Sequence, residues 1–438
     1  MTPLKTSLFP FKHWSLWAIS WLALPVHGAN VPFWEDASLK LALRTYAEDL
    51  HYENGTVRSG MAQAARLEFE SKHSNSPLSL GVDLSLYAAA SLKHNATPGN
   101  MAYVARDGSL GKRDLWAYPG IYALKLQAGS AQLKLGQLAF NNPFLVAHDV
   151  RALPATFRGA LLNWELNSDM QLEAGSTVSV YERGRDYPQA LKTAIGGTPI
   201  SRFSYLGMHA RYAGSAYFKL YAGRAEDVWD QYFVEIQHPL PPHKTFDWRL
   251  KGALYHTRNQ GTSRQGEIKN TIYNLSVAAD YGASNFQLSY QHVASDQFMD
   301  FIKETSGIRL PNAEISAFNA PHEKSVQFSY TWDGVKSNQS AWKLRAWMTT
   351  AWGADASNSA ALWSNRSSKM HSIYWRNEQA VHGSHHEFGL FGSYHFRSGS
   401  LKESRLNLYY FRHLARSTHS DPSLYSLRIM WNVPLQIM

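Results

Sequence analysis

The chain closes on an alternation. In YSLRIMWNVPLQIM, residues 425–438, Tyr425, Leu427, Ile429, Trp431, Val433 and Leu435 take every second place, with Ser426, Arg428, Met430, Asn432 and Pro434 between them. Successive strand side chains point to opposite faces, so this segment has one apolar face and one mainly polar face. The pattern recurs upstream. PLSLGVDLSLYAAA sets Leu78, Leu80, Val82, Leu84 and Leu86 against Ser79, Gly81, Asp83, Ser85 and Tyr87. YNLSVAADY, VQFSYTW and EFGLFGSYHF repeat it at Tyr273–Tyr281, Val326–Trp332 and Glu387–Phe396. Clusters of Gly, Asn, Asp, Ser and Pro separate such segments from residue 37 onward, and no helical period competes. No linker or shift of composition divides the chain, which predicts a single all-β domain.

Two architectures use many alternating strands. A soluble sandwich or propeller hides the apolar face, whereas a transmembrane barrel turns it to lipid and keeps the other face polar. The start of the chain favours the barrel. Lys5, Lys12 and His13 precede an apolar stretch from Trp14 to Leu24, and Val26 and Gly28 are placed for cleavage after Gly28 or Ala29. That stretch is about eleven residues, short of the about 20 that a spanning helix needs. Residues 1–28 therefore read as a secretory signal peptide and 29–438 as one exported domain. Mean hydropathy is −0.36, which excludes a helical membrane protein. There is no cysteine, so no disulfide supports the exported fold. The 15 Trp and 23 Tyr gather at the ends of apolar stripes, where interfacial girdles belong.

Phasing each strand by its apolar residues defines the opposite face. Its basic residues are Lys40, Arg44, Lys125, Lys134, Arg211, Lys219, Arg249, Lys251, Lys343, Arg345 and Arg428; its acids are few, chiefly Asp83 and Asp280. A Lys or Arg on the lipid face near the midplane costs about 2–4 kcal/mol. The basic face is therefore expected to line a wet lumen, with Arg428 looking into it. The net charge of +9 agrees with an interior that meets anions. Tyr46, Tyr87, Tyr221, Tyr255 and Trp347 phase inward as well and could form a stacking track for sugars. The about 410 residues after the signal, at about 9–11 per membrane strand plus turns and loops, suit roughly 16 to 18 strands. One strand, AQLKLGQLAF, ends in NNP and passes into a long segment containing Pro143 and Pro154. Proline cannot serve a central ladder position, so residues 142–159 are expected to leave the wall and fold inward as a constriction.

Six segments in order resemble the OprD-type outer-membrane porins: FWEDASLKLALRTYAEDLHY at 33–52, LKLGQLAFNNPFLVAHDVRALPATFRG at 133–159, YAGRAEDVWDQYFVEI at 221–236, the stretch from GEIKNTIYNLSVAADY to FQLSYQHVASDQFMDFI, FNAPHEKSVQFSY, and HHEFGLFGSYHFRSGSLK. The resemblance covers nearly all of the exported chain. It implies an 18-stranded, usually monomeric channel for small nutrients, often carboxylates, with a narrow eyelet and a ladder of basic wall residues. The family's eyelet arginine matches Arg151, and Asp149 and Arg158 of the same segment join it as constriction candidates. On this basis Arg151 is expected to be the main electrostatic gate, with the wall cations as a diffuse supply line. Departures stand at Ala317, where the family often has an acid (Glu314 is nearby), at Tyr409, Tyr410 and Phe411, where it can show arginines, and at the terminal Met438.

Other constellations weigh little. HGSHHE, with His382, His385, His386 and Glu387, reads as a solvated turn rather than a metal site. THSD, residues 418–421, reads as a loop rather than a hydrolytic triad. DGSLGKRD, residues 107–114, has no phosphate-binding pattern and reads as an external loop. The expected function is passive, selective uptake of anionic or carboxylate-bearing solutes, with a saccharide channel second and a barrel enzyme a distant third. No cofactor or metal is expected. Expected partners are the solute, outer-membrane lipid and lipopolysaccharide and the barrel-assembly machinery, with no nucleic acid; the expected state is a monomer or weak trimer.

Overall fold

The computed structural model describes residues 37–72, 77–94, 115–241, 245–338 and 340–438; the expected signal segment and the loop at 107–114 lie outside them. Each wall strand pairs antiparallel with its neighbours in sequence, from Ser38–Tyr52 through to Leu424–Gln436, and these two pair with each other. The sheet has 20 strands, of which Gln189–Lys192 and Pro199–Ile200 belong to a loop. The other 18 form a closed antiparallel barrel. Closure leaves no unpaired edge, the condition for backbone to cross hydrocarbon.

The alternation becomes the two faces of the wall. Leu206, Leu220, Leu250, Leu275, Leu288, Phe328, Leu344 and Leu427 are all exposed on the outside. Their chain neighbours Tyr205, Tyr221, Ser289, Gln327, Ser329 and Ser426 are buried on the inside. Exposed Trp164, Tyr212, Trp248, Tyr281 and Trp342 edge the apolar band at one rim, and Trp352 and Tyr425 edge it at the other. The first described residue, Ala37, the C-terminus and the short turns share the first rim. Gly129, Gly214 and Gly282 open its tight turns with φ of 56°, 54° and 58°, a left-handed conformation that glycine supplies without strain. Loops 139–155, 182–202, 294–323 and 356–381 belong to the opposite rim.

Candidate functional site

The inner face changes character along each strand. In Ala216–Ala225 it reads Tyr217, Lys219, Tyr221, Gly223; in Asp247–Asn259 it reads Arg249, Lys251, Ala253, Tyr255; in Trp342–Asp355 it reads Lys343, Arg345, Trp347, Thr349. All three strands run from the short-turn rim to the loop rim. Cations therefore occupy the half nearer the turns, and aromatics the half beneath the loops.

Those aromatics carry a plug. Tyr205, Tyr221, Phe233 and Tyr255 form one buried apolar cluster with Phe140, Phe144 and Leu145 of loop 139–155, Leu191 and Ile200 of loop 182–202, and Met299, Ile302, Ile308 and Leu310 of loop 294–323. The Phe144 ring lies 5.9 Å from Phe203, 6.1 Å from Tyr221 and 6.4 Å from Tyr255. Tyr255 Oη donates to the Pro143 carbonyl at 3.0 Å and accepts from the Arg309 amide at 3.3 Å, so one wall phenol clasps two loops. The loops also join each other. Ser306 N donates to Val146 O, and Ala194 N to Phe301 O. Buried Arg183 pairs with Glu304 at 2.7 Å, and Lys303 with Glu182 at 2.7 Å. Residues 142–155 thus lie inside the barrel, whereas residues 156–159, expected to leave the wall with them, already belong to the wall strand Thr156–Asn167. Loops 182–202 and 294–323, which the sequence did not single out, lie inside with the first segment.

This corrects the reading of the aromatics. Tyr221 and Tyr255 pack behind loops, Tyr87 is 2% exposed in a second apolar cluster with Tyr46, Trp116 and Tyr118, and Trp347 is buried and donates Nε1–H to Glu387 at 2.8 Å. They anchor the plug and present no open stacking track.

The basic residues all lie on the inner face, but most are paired. Asp83 takes both Lys125, at 2.7 Å, and Lys134, at 2.8 Å. Glu235, whose side chain is 5% exposed, takes both Lys219, at 3.1 Å, and Lys251, at 2.7 Å. Arg249 pairs with Asp280, Lys343 with Asp333, Arg211 with Asp169 and Arg345 with Glu314. The expectation of few inward acids is wrong: Glu48 and Glu235 also face inward and supply the counter-charge that cations removed from bulk water need. Inward Glu173 and Glu387 are held by neutral donors, Asn142 and Tyr221 on the first and Ser316 N and Trp347 on the second. Lys40 has no carboxylate within 4 Å among the described residues, and neither has Arg405 on the adjoining inner face of Arg405–Ala415.

The constriction candidates separate. Arg151 is 7% exposed, and its Nη1 lies 3.5 Å from Glu48 of the first strand. Arg428, from the last strand, reaches the same Glu48 at 2.8 Å, and Ser426 and Tyr46 donate to it as well. Arg151 therefore shares one buried carboxylate with Arg428 and does not act as a lone charge. Arg428 faces inward yet is buried, not bathed in the lumen; its guanidinium lies 5.8 Å from the Tyr409 and Phe411 rings. Asp149 is exposed and pairs with Arg44, whose Nη1 also donates to the Arg151 carbonyl at 2.9 Å. Arg158 is exposed on Thr156–Asn167 and stands outside this network. Around Glu314, Ser316 N donates to Glu387 at 2.9 Å, and Gln291 binds the carbonyls of Ala317 and Phe318.

His148 lies in the same loop. Burial first, and then the positive charges of Arg183, Arg151 and Arg428, push its pKa down to about 2. An unfolded histidine titrates near 6.5. Below about pH 6.5 the released loop takes up a proton that the docked loop refuses. Docking is therefore fully supported above that pH and weakens progressively as pH falls toward 2. Channel noise should rise between pH 7 and pH 5, and His148→Gln should flatten that slope; an unchanged slope would remove His148 from the account.

HGSHHE also needs correction. It is no turn, since the strand His382–His395 begins there. Alternation leaves His382 and His386 exposed and buries His385 and Glu387.

A model of the family described as outer membrane porin, OprD family, matches residues 31–437. Porin D of Pseudomonas aeruginosa is 26% identical over 425 residues, which cover 93% of this chain and 92% of that protein. Porin-like protein GalP of Pseudomonas putida is 25% identical over 333 residues, covering 72% and 77%. The crystal structure of OccD3 (OpdP) of Pseudomonas aeruginosa superposes with a TM-score of 0.81 at 25% identity over 92% of each chain. The structure of OpdK from the same organism with vanillate superposes at 0.80 and 22% identity over 92% of this chain and 100% of that one, a likeness of fold alone.

Proposed function

Because the chain belongs to the OprD family of outer membrane porins, we propose that the solutes it passes are small carboxylate-bearing nutrients such as amino acids or organic acids. The protein is a channel of the bacterial outer membrane and not an enzyme. The observation that carries the proposal is the sector where the barrel closes. Neighbouring strands Val57–Glu70, Ser38–Tyr52, Leu424–Gln436 and Arg405–Ala415 place Arg66, Lys40, Arg44 and Arg405 on one stretch of inner wall, and the large apolar cluster does not cover it. Guanidinium groups offer fixed forks of donors to a carboxylate. A series of them lets the ion step between contacts that are favourable enough to enter and weak enough to leave. The burial of Tyr87, Tyr221, Tyr255 and Trp347 removes the surface that a sugar would stack on.

Planar bilayers test this. Millimolar amino-acid or organic-acid carboxylates should reduce the ion current more than a neutral hexose of similar size. Equal or stronger block by the hexose would overturn the reading. The same recordings test the pairing of the wall cations. Glu235→Gln leaves Lys219 and Lys251 without their shared acid, so anion-over-cation selectivity should rise in reversal potentials. The rise should shrink above about 0.15 M salt, where the screening length is about 8 Å. If selectivity stays put, the lysines do not face the conducting water.

A further inference from the structure

The loop rim holds a second cluster that passage through the channel does not use. His385 comes from His382–His395, His413 from Arg405–Ala415, Asp421 from loop 416–423, and Glu323 from the end of loop 294–323. His385, His413 and Glu323 are buried to 2% exposure or less. The ligand atoms of His385, His413 and Asp421 lie within 4.8 Å of one another.

The hydrogen-bond partners fix the histidine tautomers. His413 Nδ1 faces the Pro422 carbonyl at 2.9 Å and must donate to it, which leaves a lone pair on Nε2. His385 Nε2 faces Glu323 Oε1 at 2.6 Å, and donation to this carboxylate leaves a lone pair on Nδ1. These two lone pairs then point at each other across 2.6 Å. Two bare imidazole nitrogens repel at that distance, so a cation belongs between them, either a proton or a metal. The third donor, the Asp421 carboxylate, favours the metal. It is held in place by Ser316 Oγ, while the Phe318 ring stacks on His385 at 4.4 Å and keeps bulk water away.

We infer that His385 Nδ1, His413 Nε2 and the Asp421 carboxylate form a site for a divalent transition metal of the zinc type. Two imidazoles and a carboxylate suit such ions. Glu323 and the Pro422 carbonyl already occupy the positions of the outer partners that orient ligating histidines. Bonds of about 2.0–2.1 Å at a tetrahedral angle set the nitrogens about 3.3 Å apart, so binding needs only a small separation of the two rings. His419, whose ring stacks on His385 at 4.1 Å, is no ligand here: its Nδ1 accepts from the Asp421 amide at 3.1 Å, which puts the proton on its Nε2, 3.4 Å from Glu323, and leaves no lone pair for a metal. A bound metal would tie the last two hairpins to loop 294–323 through Glu323 and Ser316.

The test uses the untagged, detergent-folded protein, stripped with chelator and titrated with Zn²⁺ by calorimetry and with Co²⁺ by visible absorption. The expected result is one equivalent bound, with tetrahedral Co²⁺ bands. Asp421→Asn and His413→Ala should each weaken binding at least tenfold, and Glu323→Gln by about 10–100-fold. His386→Ala, at an exposed position on the same strand, should leave it unchanged. If His413→Ala fails to fold, the loop variant Asp421→Asn alone decides. Absence of stoichiometric binding by the wild type, or equal affinity in Asp421→Asn, would overturn the site and assign the gap to a shared proton.

Discussion

Excising residues 144–152 should raise single-channel conductance several-fold. The segment stands inside the barrel and is fixed by Phe144 and Leu145 in the apolar cluster, by the Pro143 carbonyl on Tyr255 and by strand-like bonding to residues 304–306. Its removal vacates part of the lumen's cross-section and also uncovers Tyr221 and Tyr255, which are then wetted. Loop 294–323 loses its partner and should fluctuate, so open-channel noise rises with the mean current. The wall is continuous without the segment, because Ala131–Leu138 and Thr156–Asn167 pair directly through Leu138 and Phe157. Heat-modifiable migration on gels checks that the barrel has formed. Conductance equal to the wild type in a folded variant would mean that another loop sets the constriction.

Glu48→Gln should produce the largest change in stability. The Glu48 side chain has no exposed area, and it answers Arg151 from the loop and Arg428 from the last strand. Removing one partner of a buried ion pair costs about 3–5 kcal/mol, because the remaining charge stays out of water unpaired. Here two arginines are left. The unfolding temperature should fall clearly, and anion selectivity should rise as Arg151 gains net charge beside the passage. Arg151→Ala should shift selectivity the opposite way, and the double variant should be less destabilised than the two single effects added together. Additive losses would show that Glu48 and Arg151 are not coupled.

The wall was legible because its rule is local. Period two in segments such as Leu78–Ala88 and Tyr425–Leu435 assigns each residue to lipid or interior with no knowledge of its neighbours. The same phase turned Arg428 inward, where it meets Glu48. It could not say that Glu48 waits for it, since that partner is 380 residues away and the pairing arises only at closure. Glu48 is nonetheless in phase with Arg44 and Tyr46, so carrying the phase to the end of the first strand would have found it. Glu235 is in phase with Phe233 in the same way. Loops 182–202 and 294–323 gave no such signal. Their placement depends on scattered contacts, such as Asn312 bonding to Asn274, Ser289 and Ser325, which no short window of sequence displays.

The pairing of Ser38–Tyr52 with Leu424–Gln436 also has a kinetic consequence. It is the most non-local strand pairing among the described residues, and rates of folding fall as contacts become less local. Closing so long a chain has an entropic cost that neighbouring hairpins do not bear. The neighbouring hairpins can therefore zip early, while Arg44–Asn432 and Glu48–Arg428 form last, at the moment the cylinder shuts. Until then both terminal strands present open hydrogen-bonding edges, the form most exposed to mispairing with another chain.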